Sequence, residues 1–361
     1  MTQSECEKLL QALAAIGRDE ELRARFVALC RDVEEKLARR NFSVRDELTG
    51  PVIDALHADV GVLRKTLDTG LVFDFHYRSK IAREIVMSPE LHPDHVWEPQ
   101  TTKLLVHLSA GAPHVVIGGA YSGDQAILVA RKLTETGGVC HAFEPNADQL
   151  TMLRRNARNN RLTNIEFNAL GLWRDDETVL KLVGDDSFAH PVVVDGSGDD
   201  PGGEAFATTS INSYARHRKL ARIGLIMLDI EGAEIQALRG ADRYLSQPAG
   251  IAPTVVFEVH RDYVDWSAGL ENTEIVRFLS DLGYQVFSLR DFNANVPMGN
   301  SPIELVPPER TYLEGPPHGF NMLAIKDQAI IDNDLFRICY DVSPKLLWHK
   351  DPGLHHPLNR A

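Results

Sequence analysis

Cysteine is scarce in this chain. Only Cys6, Cys30, Cys140 and Cys339 occur among 361 residues, far apart and without a C-x-x-C pair. That spacing offers neither a disulfide framework nor a cysteine-based zinc site, and it suits reduced thiols in a cytoplasm. A long apolar run is missing too, so no membrane-spanning helix is expected. Met1 is followed by Thr-Gln-Ser-Glu-Cys-Glu, not by a basic region and an apolar stretch, so no secretory leader is expected. There is no basic stripe: 38 lysines and arginines stand against 51 aspartates and glutamates, a net charge of -13. A duplex binder needs positive charge to displace counterions, so nucleic acid is not an expected partner. The local cluster Arg154, Arg155, Arg158 and Arg161 reads as the solvated face of a helix.

What is present suits a packed globular protein, with 43% hydrophobic and 25% charged residues. Residues 1–96 read as a mainly helical region. Leu22, Phe26, Leu29, Val33 and Leu37 recur in steps of three and four, an amphipathic stripe that packs on a core or on a partner chain. A homodimer through these helices is one reading. Pro89, Pro93 and Pro99 punctuate a loop, and residues 101–109 read as a helix. From His114 onward, short β-rich runs at 114–117, 139–143, 164–169, 223–228, 254–259, 285–289 and 321–325 alternate with amphipathic helices. This rhythm predicts an α/β fold with a mainly parallel seven-stranded sheet and helices on both faces. The last two strands, lacking a long helix between them, can pair as an antiparallel edge. Residues 184–207, with several glycines and aspartates, read as a flexible loop. The chain therefore divides into a helical cap at 1–96, a catalytic-type domain at 97–327 and a tail at 328–361. The tail's His355 and His356 read as a frayed terminus rather than a metal site.

In an open parallel sheet, ligands bind at the carboxyl ends of the strands. The first such end reads Val115-Val116-Ile117-Gly118-Gly119-Ala120-Tyr121-Ser122-Gly123. Glycines there permit a tight turn, and the following helix start offers free N–H groups. Glu144 closes the second strand about 20 residues later, where an acid can hold a ribose diol. Pro145 and Asn146 then open a helix. Turn and acid together indicate an adenosine-containing cofactor. A dinucleotide fingerprint wants a glycine where Ala120 stands, so the Gly119-x-x-x-Gly123 spacing favours S-adenosylmethionine over a nicotinamide cofactor. The fourth strand delivers Asp229-Ile230-Glu231-Gly232-Ala233-Glu234 to the same edge. Asp229 and Glu231 share a face if the extended geometry persists. Glu234 falls in the first turn of a helix, where negative charge suits the dipole.

These segments resemble the FkbM family of S-adenosylmethionine-dependent O-methyltransferases. "LIMLDIEGAEIQALRGADRYL" resembles its signature block, and "TTSINSYAR" the segment leading into it. "HVVIGGAYSGD" and "AFEPNADQLTMLRRNARNN" resemble its two cofactor motifs, and "FEVH" and "NMLAIK" match in kind and order. The resemblance runs over residues 97–326 and implies a Rossmann-like class I methyltransferase fold. The family's first motif is Asp-x-Gly-Ala-Asn-x-Gly. Here Ile117 stands at the Asp position and Tyr121 at the Asn position. Asp124 is the nearest acid that can compensate.

The resemblance implies methyl transfer to a hydroxyl of a small molecule, of sugar or natural-product type. S-adenosylmethionine would be the donor and S-adenosylhomocysteine the product. The expected cofactor-binding residues are Gln100, Thr101, Gly119, Ala120, Tyr121, Gly123, Glu144, Pro145, Asn146, Leu170 and Asp229. An alcohol needs a base within hydrogen-bond reach. His260 follows the fifth strand in Val255-Val256-Phe257-Glu258-Val259-His260, so it is the expected base, with Glu258 on its face and Asp229 as the second catalytic residue. Glu231, Glu258 and His260 are expected to meet the acceptor. Asp229, Glu231 and Glu258 would also suit Mg²⁺, although the expected chemistry is metal-free. A noncatalytic S-adenosylmethionine-binding protein and a nicotinamide-dependent oxidoreductase are the competing readings.

Overall fold

The computed structural model describes residues 2–37, 43–78, 80–184, 189–194, 204–313 and 319–346. It separates into two compact units. One comprises residues 1–98, 292–297 and 346–361, the other residues 99–291 and 298–345.

The first unit begins with helices α1 (Gln3–Gly17), α2 (Glu20–Leu37) and α3 (Gly50–His57). Thr2 caps α1 through a reciprocal capping box with Glu5. Leu13, Val27, Cys30, Ile53, Leu56 and Met87 form this unit's core. The expectation of a mainly helical region misses a hairpin here, strands β1 (Val62–Thr66) and β2 (Val72–His76), paired antiparallel. Its turn contains Gly70 at φ +79°, a conformation that glycine adopts without a Cβ penalty. A short helix, α4 (Lys80–Val86), follows.

The second unit opens with α5 (Pro99–Ser109), two residues earlier than the sequence reading. Pro99 suits a first helical position because it lacks an N–H that would be unpaired there. The chain then builds β3 (His114–Gly118), α6 (Ala126–Leu133), β4 (Val139–Phe143), α7 (Ala147–Asn159) and β5 (Ile165–Asn168). After the segment described below come β10 (Leu225–Leu228), α9 (Glu234–Arg239), α10 (Asp242–Leu245), β11 (Thr254–Val259) and α11 (Glu274–Asp281). Strands β12 (Gln285–Leu289), β13 (Ile303–Val306), β14 (Phe320–Ile325) and β15 (Phe336–Ile338) complete it.

These strands make one nine-stranded sheet in the order β15-β13-β12-β14-β11-β10-β3-β4-β5. The seven expected strands are the run from β12 to β5, and β13 and β15 extend its edge. The sequence reading missed both, because each is short and β15 lies in the region read as tail. The run β11-β10-β3-β4-β5 is parallel, whereas β14 is antiparallel to both β11 and β12. This is a Rossmann-like doubly wound sheet whose strand order reverses between β3 and β10. Val116, Ile226, Leu228, Val255 and Phe257 bury one face in a core shared with the helices from α9 to α11. The alternate residues Val115, Ile117, Met227 and Val256 are at most 1% exposed, so the second face is covered as well.

The segment between β5 and β10 corrects the reading of residues 184–207 as a loop. It forms β6 (Gly171–Leu172), β7 (Val179–Val183), β8 (His190–Val193) and β9 (Ala205–Thr209), joined as a sheet in the order β6-β9-β7-β8. Helix α8 (Ile211–Arg218) follows, capped by Ser210. The glycines Gly196, Gly198, Gly202 and Gly203 lie outside the described residues. So do His355 and His356.

Candidate active site

The turn after β3 is fixed by backbone hydrogen bonds. The N–H groups of Gly119 and Ala120 both donate to the Phe143 carbonyl, at 3.1 and 3.0 Å. Gly119 has φ +74°, and a Cβ there would fall 1.7 Å from the Asp229 carbonyl oxygen. The turns after β3 and β10 therefore touch backbone to backbone at the strand-order reversal. Gly123, at φ +94°, lies instead against side chains, where a Cβ would come 2.5 Å from Leu153 Cδ1 and 2.9 Å from Ile127 Cγ1.

Glu144 ties this turn to the second strand. Its Oε2 accepts the Tyr121 N–H at 2.9 Å, and its Oε1 accepts the Asn146 N–H at 2.8 Å. Tyr121 is held at φ +44°, an unfavourable conformation for a bulky residue. Pro145 is the half-buried link, and Asn146 caps α7 by accepting from Asp148 and Gln149. These two backbone donors fix the orientation of the carboxylate. A ribose diol matches such a fixed carboxylate, and the residues present fit an adenosine group. Leu170, half-buried just beyond β5, packs on the core cluster. Ile117 is 1% exposed, so the position at which the FkbM motif has an acid is core packing in this chain.

Acids gather at the end of β10. One carboxylate oxygen from each of Asp229, Glu231 and Glu258 lies within 4.8 Å of the others. The extended geometry expected for Asp229 and Glu231 does not persist. The strand stops at Leu228, and Glu231 and Gly232 take φ +51° and +98°, so it is a turn that brings the two carboxyls together. Glu234 secures that turn, accepting from the N–H groups of Ile230 (2.9 Å) and Gly232 (3.0 Å). Its side chain is thus more than a helix-start acid. Burial pushes the Asp229 carboxyl up, opposed by a hydrogen bond to Glu258. Burial and then the charges of Asp229 and Glu234 raise Glu231 to about 8. Burial raises Glu234 to about 7 despite its backbone donors. Asp124 is raised to about 7 by burial and then by Asp229, with a further contribution from Glu144. Three carboxylates of this kind have the oxygen chemistry to hold a divalent cation, and the same groups attract any cationic ligand.

His260 lies one residue past β11. Its Nδ1 accepts the Asp262 N–H at 3.1 Å, which puts the proton of the neutral ring on Nε2. The basic lone pair is thereby engaged by backbone. Its ring is 5.4 Å from that of Tyr263. At the start of α5, the N–H groups of Gln100 and Thr101 donate to the Asp291 carboxylate at 2.9 and 2.7 Å. Thr101 Oγ1 accepts from Asn321 at 3.1 Å. The Gln100 Oε1 is buried and has no hydrogen-bond partner among the described residues. Sequence reasoning missed Asp291 as the cap of α5, since nothing local marks a partner 191 residues away. It also missed Tyr263, whose only signal was its place three residues after His260.

Residues 118–286 match the family model described as methyltransferase FkbM domain, a span that contains the site from Gly119 to His260. Among solved structures, the chain is similar to the methyltransferase FkbM from Methylobacillus flagellatus KT, at 18% identity and TM-score 0.32, covering 50% of this chain and 40% of that one. The alignment thus spans less than half of that protein. An O-methyltransferase from Bacillus cereus, solved with SAH, gives 15% identity and TM-score 0.34 over 63% of this chain and 80% of that one. The O-methyltransferase TomG from Streptomyces achromogenes, involved in tomaymycin synthesis and solved with SAM, gives 13% identity and TM-score 0.32 over 63% and 79%. Among curated proteins, none matches the chain.

Proposed function

Because residues 118–286 belong to the methyltransferase FkbM domain family, we propose that the chain transfers a methyl group from S-adenosylmethionine to a hydroxyl of a small molecule, of sugar or natural-product type. The observation that carries the reading is the Glu144 carboxylate, fixed by the N–H groups of Tyr121 and Asn146 beside the glycine turn. That arrangement supports a ribose anchor. When bound, the cofactor supplies an activated methyl on a sulfonium.

The protein's own part is positioning and proton removal. Asp124, Asp229 and Glu231 have carboxyls that burial makes reluctant to ionise, and a cationic cofactor bound beside them would favour their ionised forms. The acceptor hydroxyl gives its proton to a carboxylate of the Asp229–Glu231–Glu258 group, whose raised proton affinity suits a base working near neutrality. His260, with Nδ1 engaged by Asp262, orients the acceptor rather than deprotonating it. A base role for His260 requires that bond to break. In this reading the three carboxyls act as proton acceptors rather than as cation ligands, and the chemistry is metal-free. A nicotinamide cofactor is disfavoured by Ala120, 2% exposed at the position where the dinucleotide motif needs glycine.

Calorimetric titration with S-adenosylmethionine and S-adenosylhomocysteine tests the cofactor. Methyl transfer to hydroxylated acceptors tests the reaction. Saturable binding with turnover supports the reading. Binding without turnover on any hydroxylated acceptor leaves a noncatalytic binding protein.

A further inference from the structure

The methyl-transfer reading leaves the rings of Tyr263 and His190 without a role. Tyr263 stands between two histidines, 5.4 Å from the His260 ring at 42° and 6.0 Å from the His190 ring at 37°. His190 comes from β8, the strand of the smaller sheet that was expected to be loop. Tyr263 also lies directly on Gly232, where a Cβ would sit 2.7 Å from its Cγ. Gly232 is thus required twice, by its φ of +98° and by the ring above it. Tyr263 remains 38% exposed, so part of the side chain meets solvent. Its phenol feels the charges of Glu231, Asp262, Glu258 and Glu234, which puts the ring at the rim of the acid cluster.

We propose that Tyr263, flanked by His190 and His260, is the platform on which the acceptor lies, and that the acceptor is a neutral polyhydroxylated ring. This inference rests on the methyl-transfer reading and names its substrate class. A partly exposed aromatic side chain offers apolar surface to the apolar face of a ring. The carboxyl groups beside it accept hydrogen bonds from hydroxyls on that ring's edge. An anionic acceptor finds no cation among these carboxyls and is repelled by whichever of them is ionised. Tyr263 is a positioning residue, since it holds the acceptor and takes no proton from it.

The test uses the full-length protein saturated with S-adenosylhomocysteine. Saturation-transfer-difference NMR is recorded on methyl pyranosides of glucose, galactose and mannose, and on the matching uronic acids. At least one neutral pyranoside is expected to show transfer to its ring C–H protons, at least about tenfold tighter than its uronic acid. Tyr263→Ala is expected to weaken that binding by roughly tenfold, while Tyr263→Phe retains it. In methyl-transfer assays Tyr263→Ala raises KM with little change in kcat. Preference for the uronic acids, absence of binding by every neutral pyranoside, or unchanged binding in Tyr263→Ala overturns the platform. Failure of S-adenosylhomocysteine to bind at the outset instead overturns the methyl-transfer reading on which it rests.

Discussion

The carboxylate of Glu144 receives the backbone N–H of Tyr121 at 2.9 Å, at a residue held at φ +44°. One side chain thus holds a strained turn closed and faces the cofactor edge. Glu144→Gln removes the charge and one of two acceptor oxygens. Charged hydrogen bonds contribute about 1.5–3 kcal/mol, so S-adenosylhomocysteine affinity is expected to fall by about 10–150-fold. Calorimetry on wild type and variant measures this, and near-equal affinities would remove Glu144 as the ribose anchor.

Gly119→Ala is expected to damage the fold as well as the site. The added methyl meets the Asp229 carbonyl at 1.7 Å, and the residue must hold φ +74°. The expected loss exceeds about 2 kcal/mol, read from urea denaturation. A variant as stable as wild type would mean that the two turns do not touch as described.

Asp229 and His260 are separable. Asp229→Asn is expected to lower kcat by about 10²–10⁴-fold, the range of general-base catalysis. His260→Ala is expected to lower it by only about 2–10-fold, as for a lost neutral hydrogen bond, with cofactor binding unchanged. The reverse order in single-turnover rates would return the base role to His260.

Glu231 gives a pH signature. Its ordinary value is 4.5 and its folded value about 8, so between these limits the folded state binds more protons than the unfolded chain. Its contribution to stability is complete below 4.5 and is lost as pH rises through about 8. Glu231→Gln carries no such penalty. Relative to wild type, the variant should gain at least about 1 kcal/mol between pH 5 and pH 8.5, measured by paired thermal melts. Parallel profiles would show that Glu231 ionises freely.

Chelation provides a further check. Treatment with EDTA is expected to leave the methyl-transfer rate within about twofold, because burial raises the proton affinity of Asp229 and Glu231 and protons compete with a cation for the same oxygens. A rate abolished by EDTA and restored by Mg²⁺ would make Asp229, Glu231 and Glu258 ligands instead of the base.

Much of the architecture was legible in the sequence because its signals are local. The apolar run from Leu225 to Leu228 followed by Asp229, and the run before Glu144, mark strand ends by themselves. What escaped depends on distance or on turns. The Asp291 cap on α5 joins residues 191 apart. The meeting of Asp229 with Glu231 depends on positive φ values at Glu231 and Gly232, and only the glycine advertises such freedom. The smaller sheet was hidden because β6 is two residues long and β8 and β9 lie in a segment rich in turn-forming residues. His190 reaches Tyr263 only through that sheet.

The place of β14 has a consequence for vectorial synthesis. It is translated after β12, yet it sits between β11 and β12 and pairs with both. On the ribosome β11 therefore emerges with an unpaired edge, and β12, although it can pair with β13, cannot join the rest of the sheet until Phe320–Ile325 has been made. The nascent chain must keep an apolar strand edge apart from other chains during that interval. Aggregation during expression should then be most acute for chains stalled between β12 and β14.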